Sequence, residues 1–125
     1  MAGALEGLHV LEFRQGIAAA YCGMLLSDLG ADVILVQDSQ LAADPDPPPA
    51  AQLYLDRNKR SILLDPSSYI GQELLEALVG WADVVIEELL PTTRQRWHLE
   101  PRHWLERYPQ LVYASITPWG QTGPD

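Results

Sequence analysis

Short, nearly unbroken apolar runs that alternate with helix-like stretches constrain this chain more than any other feature. LHVLEF (8–13), ADVILVQ (31–37), RSILLD (60–65), DVVIEE (83–88) and LVYASIT (111–117) are too short for core helices and rich in Val, Ile and Leu. Between the first two, Ala18, Tyr21, Cys22, Leu25, Leu26 and Leu29 recur at helical spacing, which predicts one buried face of a helix, and Gly30 supplies its stop. Leu74, Leu75, Leu78, Val79 and Ala82 mark a second helix, with Pro66, Ser67 and Ser68 as starter and capping residues. A third short helix follows Pro91, and a fourth begins at Pro101 and carries Trp104 and Leu105. Strands apolar throughout belong to a sheet covered on both faces, and such sheets are parallel. The expected fold is therefore α/β: a Rossmann-like three-layer domain with a mostly parallel sheet, spanning residues 1–125. The stretch 38–53, which opens DSQLAADPDPPPAAQ, holds four prolines and no period, so a mobile Pro/Asp-rich surface loop is expected there.

Charge narrows the range of ligands. With 17 Asp and Glu against 8 Lys and Arg, the net charge is -9, which argues against general binding to nucleic acid or to an anionic membrane surface. An anionic ligand would need a local basic pocket. The one concentrated basic stretch is DRNKRS (56–61), where Lys59, the only lysine, sits between Arg57 and Arg60. Two readings stand for it: salt bridges to carboxylates such as Asp56, or contacts to a ligand phosphate. Cys22 is the single cysteine, so no internal disulfide forms, and a reducing, cytoplasmic setting fits. No signal peptide and no membrane-spanning run is expected.

Ligands of open parallel sheets bind beyond the carboxyl ends of the strands. RQGIAAA (14–20), QDSQ (37–40), EELLP (87–91) and TPWGQTGP (117–124) occupy those ends. RQGIAAA has Gly16 but not the further glycines of a dinucleotide-binding turn, and only Asp38 supplies an acidic residue at the end of the second strand. Cys22, on the apolar helix face, is read as a small core residue rather than a nucleophile. His9, His98 and His103 are scattered without a second ligand at metal spacing, so no metal site is expected. Glu87 and Glu88 end a strand and must point to opposite faces, so only one can serve a given site. Arg94, Arg96, Arg102 and Arg107 are read as a solvated helix face, and Trp119 lies in a glycine- and proline-rich turn.

The ordered series LEGLHVLEF, AAAYCGMLLSDLGADVILV, DRNKRSILLD, ADVVIEELLP and PQLVYASITPWGQTGP resembles the start of the class III CoA-transferases. That family includes formyl-CoA and carnitine CoA-transferases and the α-methylacyl-CoA racemases. The resemblance covers almost the whole chain outside the proline-rich loop. It implies a domain that binds CoA or an acyl-CoA along its strand ends, without a covalently held cofactor, within longer chains that form interlocked dimers. It also implies that the catalytic aspartate of the transferases, and the acid and base of the racemases, lie beyond the GQTGP segment. No catalytic residue is then expected within this chain, and Asp125 is not equated with the nucleophile.

Carried over position by position, the resemblance implies CoA contacts at Ile17, Ala18, Leu64, Glu88, Leu89 and Arg96. Several of these places are altered. Ala19 and Ala20 replace a Gly-Pro pair, and Ile17 stands where glutamine can occur. Leu35, Gln37 and Asp38 end the second strand in place of lysine, glutamate and arginine. Glu88 and Leu89 replace an Asn-Phe pair, and Pro118, Trp119, Gly120 replaces Gly-Phe/Tyr-Gly, while Arg96 and Leu64 match. The resemblance thus implies a CoA-binding domain with degraded CoA contacts. Two alternatives accompany it: a non-catalytic module that assembles with a complete transferase, and a fragment of a racemase-like enzyme. The expected partners are a CoA thioester and either the rest of a transferase chain or further copies of this one, because apolar surface left uncovered promotes self-association.

Overall fold

The structure, a computed structural model, describes residues 3–40 and 48–122. The centre of the proline-rich loop, 41–47, and the last residues, including Asp125, lie outside the described residues. The five expected strands are β1 (His9–Arg14), β2 (Asp32–Asp38), β3 (Arg60–Leu64), β4 (Val84–Glu88) and β5 (Val112–Ser115). They form one sheet in the order β3-β2-β1-β4-β5, and every neighbouring pair is parallel. The helices are α1 (Ala18–Asp28), α2 (Pro49–Leu55), α3 (Tyr69–Trp81), α4 (Pro91–Arg96) and α5 (Pro101–Arg107).

Strand alternation sorts β1 between the two faces. Leu11 and Phe13 join Leu75 and Val79 of α3, and Trp97, Leu99 and Trp104 from the α4–α5 region, in one core. Val10 points the other way, to Ala19, Ala31, Val33 and Ile86. Helices cover both faces of the three central strands, while the edge strands β3 and β5 stay largely open, with Leu63 56% and Val112 58% exposed, contrary to the expectation of strands covered on both faces throughout. The capping expectation for α3 is met by Ser68, whose hydroxyl accepts from the Gly71 N–H at 2.9 Å. After α1, Gly30 adopts φ 105, a left-handed conformation that suits glycine at a helix end.

Two expectations need correction. The buried face of α1 is not the periodic apolar set but Ala19, Ala20, Gly23, Met24 and Ser27. Tyr21, Leu25 and Leu29 are 45–50% exposed and, with Ile17, line the outer side of the helix. The cause is close packing: only small residues let α1 approach the polar side chains that β1 presents beneath it. The proline-rich stretch is also not loop throughout. Its end folds into α2, where Pro49 occupies the first turn without losing a needed N–H, and Leu55 packs on Ala20 and Met24.

Those polar side chains of β1 are Glu12 and Arg14, on the same face as Val10. Glu12 is fully buried. Lys59 Nζ donates to Glu12 Oε1 at 2.7 Å and to the Ala20 carbonyl of α1 at 2.9 Å, and its side chain is 1% exposed. Arg14 donates to Glu12 Oε2 at 3.2 Å and holds Asp56 with both terminal nitrogens, one at 2.7 Å. A Cβ on Gly23 would collide with Glu12 Oε1 and lie 3.2 Å from Lys59 Nζ, so glycine is required there. Two cations and two carboxylates thus tie β1, α1 and the α2–β3 connection together.

The carboxyls titrate in opposite directions. Burial pushes Glu12 above its ordinary range, against the pull of Lys59 and Arg14. Burial also acts upward on Asp56, but the hydrogen bonds and charge of Arg14, with the charge of Lys59, overcome it and hold the group low.

Removing Lys59 alone leaves Glu12 without its main partner. Lys59→Met should cost about 3 kcal/mol or more in urea unfolding, and adding Glu12→Gln should recover much of that loss. Losses that simply add would show that the pair does not act as a unit. A group lowered on folding stabilises the native state above its unfolded pKa, and that contribution is lost as pH falls through the folded value. Stability should therefore drop on acidification below about pH 4, the ordinary aspartate range, and Asp56→Asn should flatten that limb of the urea-midpoint profile. An unchanged acid limb in Asp56→Asn would remove Asp56 as its source.

Candidate ligand-binding crevice at the carboxyl edge

The strand order reverses direction at β1: the chain moves from β1 to β2 to β3, then returns to place β4 on the other side of β1. The crevice between the loops after β1 and β4 is the expected ligand position in such a sheet. Here hydrogen bonds of the chain itself join the two loops. The Gln15 N–H donates to the Glu88 carbonyl at 2.8 Å, and the Leu90 N–H donates to Gln15 Oε1 at 2.5 Å. Glu88 Oε2 accepts from the Ala18 N–H at 3.2 Å, which sets a carboxylate on the first turn of α1. The first turn of a helix at this place is where an open-sheet fold commonly receives a phosphate. The second oxygen of Glu88, Oε1, is buried without a partner. A Cβ on Gly16 would lie 2.9 Å from it. Ile17, Ala18 and Glu88 are thus brought together, with Ile17 59% exposed at the crevice rim.

A second group gathers beside it. Asp38, at the end of β2, pairs in register with Leu64 at the end of β3. Asp38 Oδ1 accepts from the Gln40 N–H at 2.9 Å and from Arg96 Nη2 at 3.2 Å. Arg96 Nη2 also lies 3.9 Å from Asp65, which two bonds from Ser67 hold below the ordinary aspartate range. Asp38 Oδ2 and Arg96 Nε are buried without partners. Leu64 and Leu89 are core residues, 4% and 7% exposed, with side chains packed on the α3 side of the sheet.

Glu87 and Glu88 diverge, as strand alternation requires. Glu87 is fully buried on the α4 side, where Ser115 Oγ donates to its Oε1, Arg94 lies at 3.3 Å and the Leu89 N–H donates to Oε2 at 3.2 Å. Tyr113 is half-buried nearby. Burial, reinforced by the charge of Glu87, pushes its phenol far up. Arg94 and Arg96 therefore turn inward to carboxylates instead of forming a solvated helix face. DRNKRS resolves into ion pairs too: Arg57 binds Asp28 at 2.6 Å, Lys59 reaches Asp56 at 3.4 Å as well as Glu12, and Arg60 binds Asp32 at 2.6 Å. Burial and then Glu12 push the Cys22 thiol up, which suits a packing residue.

Sequence reasoning missed Gln15 and gave Asp65 no role. Gln15 sits in the turn directly after β1, a position that can lace two strand ends. Asp65 has no local signal linking it to Arg96. A broad open cavity of about 910 Å³ lies elsewhere, between α4 and α5, lined by Pro91, Arg94, His98, Leu105 and Gln121. It includes none of Ile17, Ala18, Leu64, Glu88, Leu89 or Arg96.

A doubly wound parallel sheet with a reversal point between β1 and β4 defines an open α/β layer of the Rossmann-like type. The sequence profile of CoA-transferase family III matches residues 5–125, and this chain belongs to that family. The chain is 35% identical to the probable fatty acyl-CoA transferase Rv3272 of Mycobacterium tuberculosis, over 96% of its own length and 33% of the relative's. Against the formyl-CoA:oxalate CoA-transferase of Afipia carboxidovorans, identity is 36% over 96% of this chain and 30% of the relative. The crystal structure of a CAIB/BAIF family protein from Brucella suis superposes with a TM-score of 0.86 at 35% identity, covering 99% of this chain and 36% of that one. The chain thus spans about a third of the length of the proteins it matches.

Proposed function

We propose that this chain supplies the CoA-thioester-binding layer of a class III CoA-transferase-like protein, with the ligand lying along the carboxyl edge of the sheet. The observation that carries this is the reversal-point crevice, present in a chain whose family and fold match transferases along nearly its whole length. The family gives the ligand class, and the sheet order gives its position. Acyl transfer itself needs a nucleophile in reach of the thioester. Among the described residues, Glu88 and Asp38 each commit one carboxylate oxygen, to α1 and to Arg96, and Glu87 is buried in the core. In this reading, transfer between carboxylic acids is assigned to the longer architecture of the relatives, with this chain as its binding layer.

Calorimetric titration with CoA and acetyl-CoA tests the reading. Saturable binding tighter than millimolar is expected, and Arg96→Ala should change the affinity. Absence of heat at high ligand concentration, with the fold intact by circular dichroism, would sink the binding role. An unchanged affinity in Arg96→Ala would remove that residue from the site.

A second reading, a module that assembles with further transferase protein, is favoured by one surface. Ile17, Tyr21, Leu25 and Leu29 of α1, four residues apart, are all exposed, and Leu53 and Tyr54 of the neighbouring α2 are exposed as well. Such a stripe on a charged chain suits coverage by protein. Light scattering at high concentration should show self-association, reduced by Leu25→Glu; a monomer throughout would count against it.

A further inference from the structure

We propose that Asp38 reads a ribose hydroxyl, and that this site prefers a CoA-type ligand lacking the 3′-phosphate to CoA itself. The proposal rests on the reading above that a CoA-type ligand lies along the carboxyl edge. In doubly wound sheets the residue that ends the second strand meets the ribose of a bound nucleotide: an acidic side chain there accepts a hydrogen bond from a hydroxyl, whereas an arginine accommodates a ribose phosphate. Asp38 ends β2, and its side chain is 4% exposed. One of its oxygens is spoken for by Gln40 and Arg96, while Oδ2 is buried with no donor. A buried carboxylate oxygen without a donor is costly, and a ligand hydroxyl is the kind of group that satisfies it.

The surrounding charge disfavours a phosphate at the same place. Arg96, the nearest guanidinium, is shared between Asp38 and Asp65. Arg14, at the end of the adjacent β1, is committed to Glu12 and Asp56. Lys59, the only lysine, is buried in the same cluster. Glu88 adds a further carboxylate at the turn of α1. Arg96 Nε is a buried donor without an acceptor, but around it the edge carries the carboxylates of Asp38, Asp65 and Glu88 and is richer in acceptors than in donors. A ribose with both hydroxyls free fits that chemistry, and a ribose phosphate brings like charge against Asp38.

Parallel calorimetric titrations with CoA and 3′-dephospho-CoA decide the matter. The protein should bind 3′-dephospho-CoA at least about tenfold more tightly, and Asp38→Asn should bring the ratio towards one. CoA bound equally well or better by the unaltered protein would overturn this proposal alone and leave the binding role standing. A preference that persists undiminished in a folded Asp38→Asn would also overturn it, because another residue would then be the reader. Silence with both ligands would overturn the binding role and this proposal together. Should Asp38→Asn fail to fold, the ratio measured on the unaltered protein still decides.

Discussion

The contact between Lys59 and Glu12 governs how this domain is put together. A lone lysine in an acidic chain would ordinarily sit in water. Here it is buried against a fully buried glutamate in the central strand, with Arg14 and Asp56 completing the set. Charges taken out of water are tolerable only when paired and hydrogen-bonded, and this cluster supplies both. Its location has a steric consequence. The helix above must leave room for the Glu12 carboxylate and must present a carbonyl to Lys59, which it does with Gly23 and Ala20. Small residues therefore form the inner face of α1, and the large apolar ones turn outward. The exposed stripe of Ile17, Tyr21, Leu25 and Leu29 follows from the buried ion pair.

The same self-pairing runs along the carboxyl edge. Arg94 binds Glu87, Arg96 binds Asp38, and the Glu88 carboxylate stands on the first turn of α1. Each of these contacts fills, from within the chain, a place where an anionic ligand would otherwise find a donor. Affinity for such a ligand then depends on displacing an internal carboxylate, which subtracts from any binding energy.

Much of the architecture was legible in the sequence because strands buried on both faces must be apolar throughout, as VILV of β2 and VVI of β4 are. Helix ends were legible where a cap has a chemical signature, as with Ser68 before α3 and Gly30 after α1. The inner face of α1 was not, because periodicity weighs Tyr21, Leu25 and Leu29 by hydrophobicity and cannot know that a charged pair lies beneath. The turn into α2 was hidden by the prolines around it, although Pro49 is well suited to a helix start. For the site, the segments at the strand ends could be placed, and alternation separated Glu87 from Glu88. The partners of each arginine could not be placed. Asp38 and Arg96 are 58 residues apart, and Lys59 and Glu12 are 47 apart. Only the folded sheet brings them together.

The contrast between the two sets of charges bears on how a chain at 35% identity keeps the fold at a TM-score of 0.86. In the core cluster Glu12 and Lys59 cannot change independently, since removing either strands a buried partner at a cost on the order of 3–5 kcal/mol. At the carboxyl edge, Asp38 is buried too, but its pair with Arg96 reaches a guanidinium that is 36% exposed. The layer is thus held by charges that must move together, and the carboxylates of the carboxyl edge lie outside that cluster. Asp38 and Glu88 stand on the two sides of β1, each with one paired and one unpartnered carboxylate oxygen, so the edge carries unsatisfied acceptors that the core cluster does not.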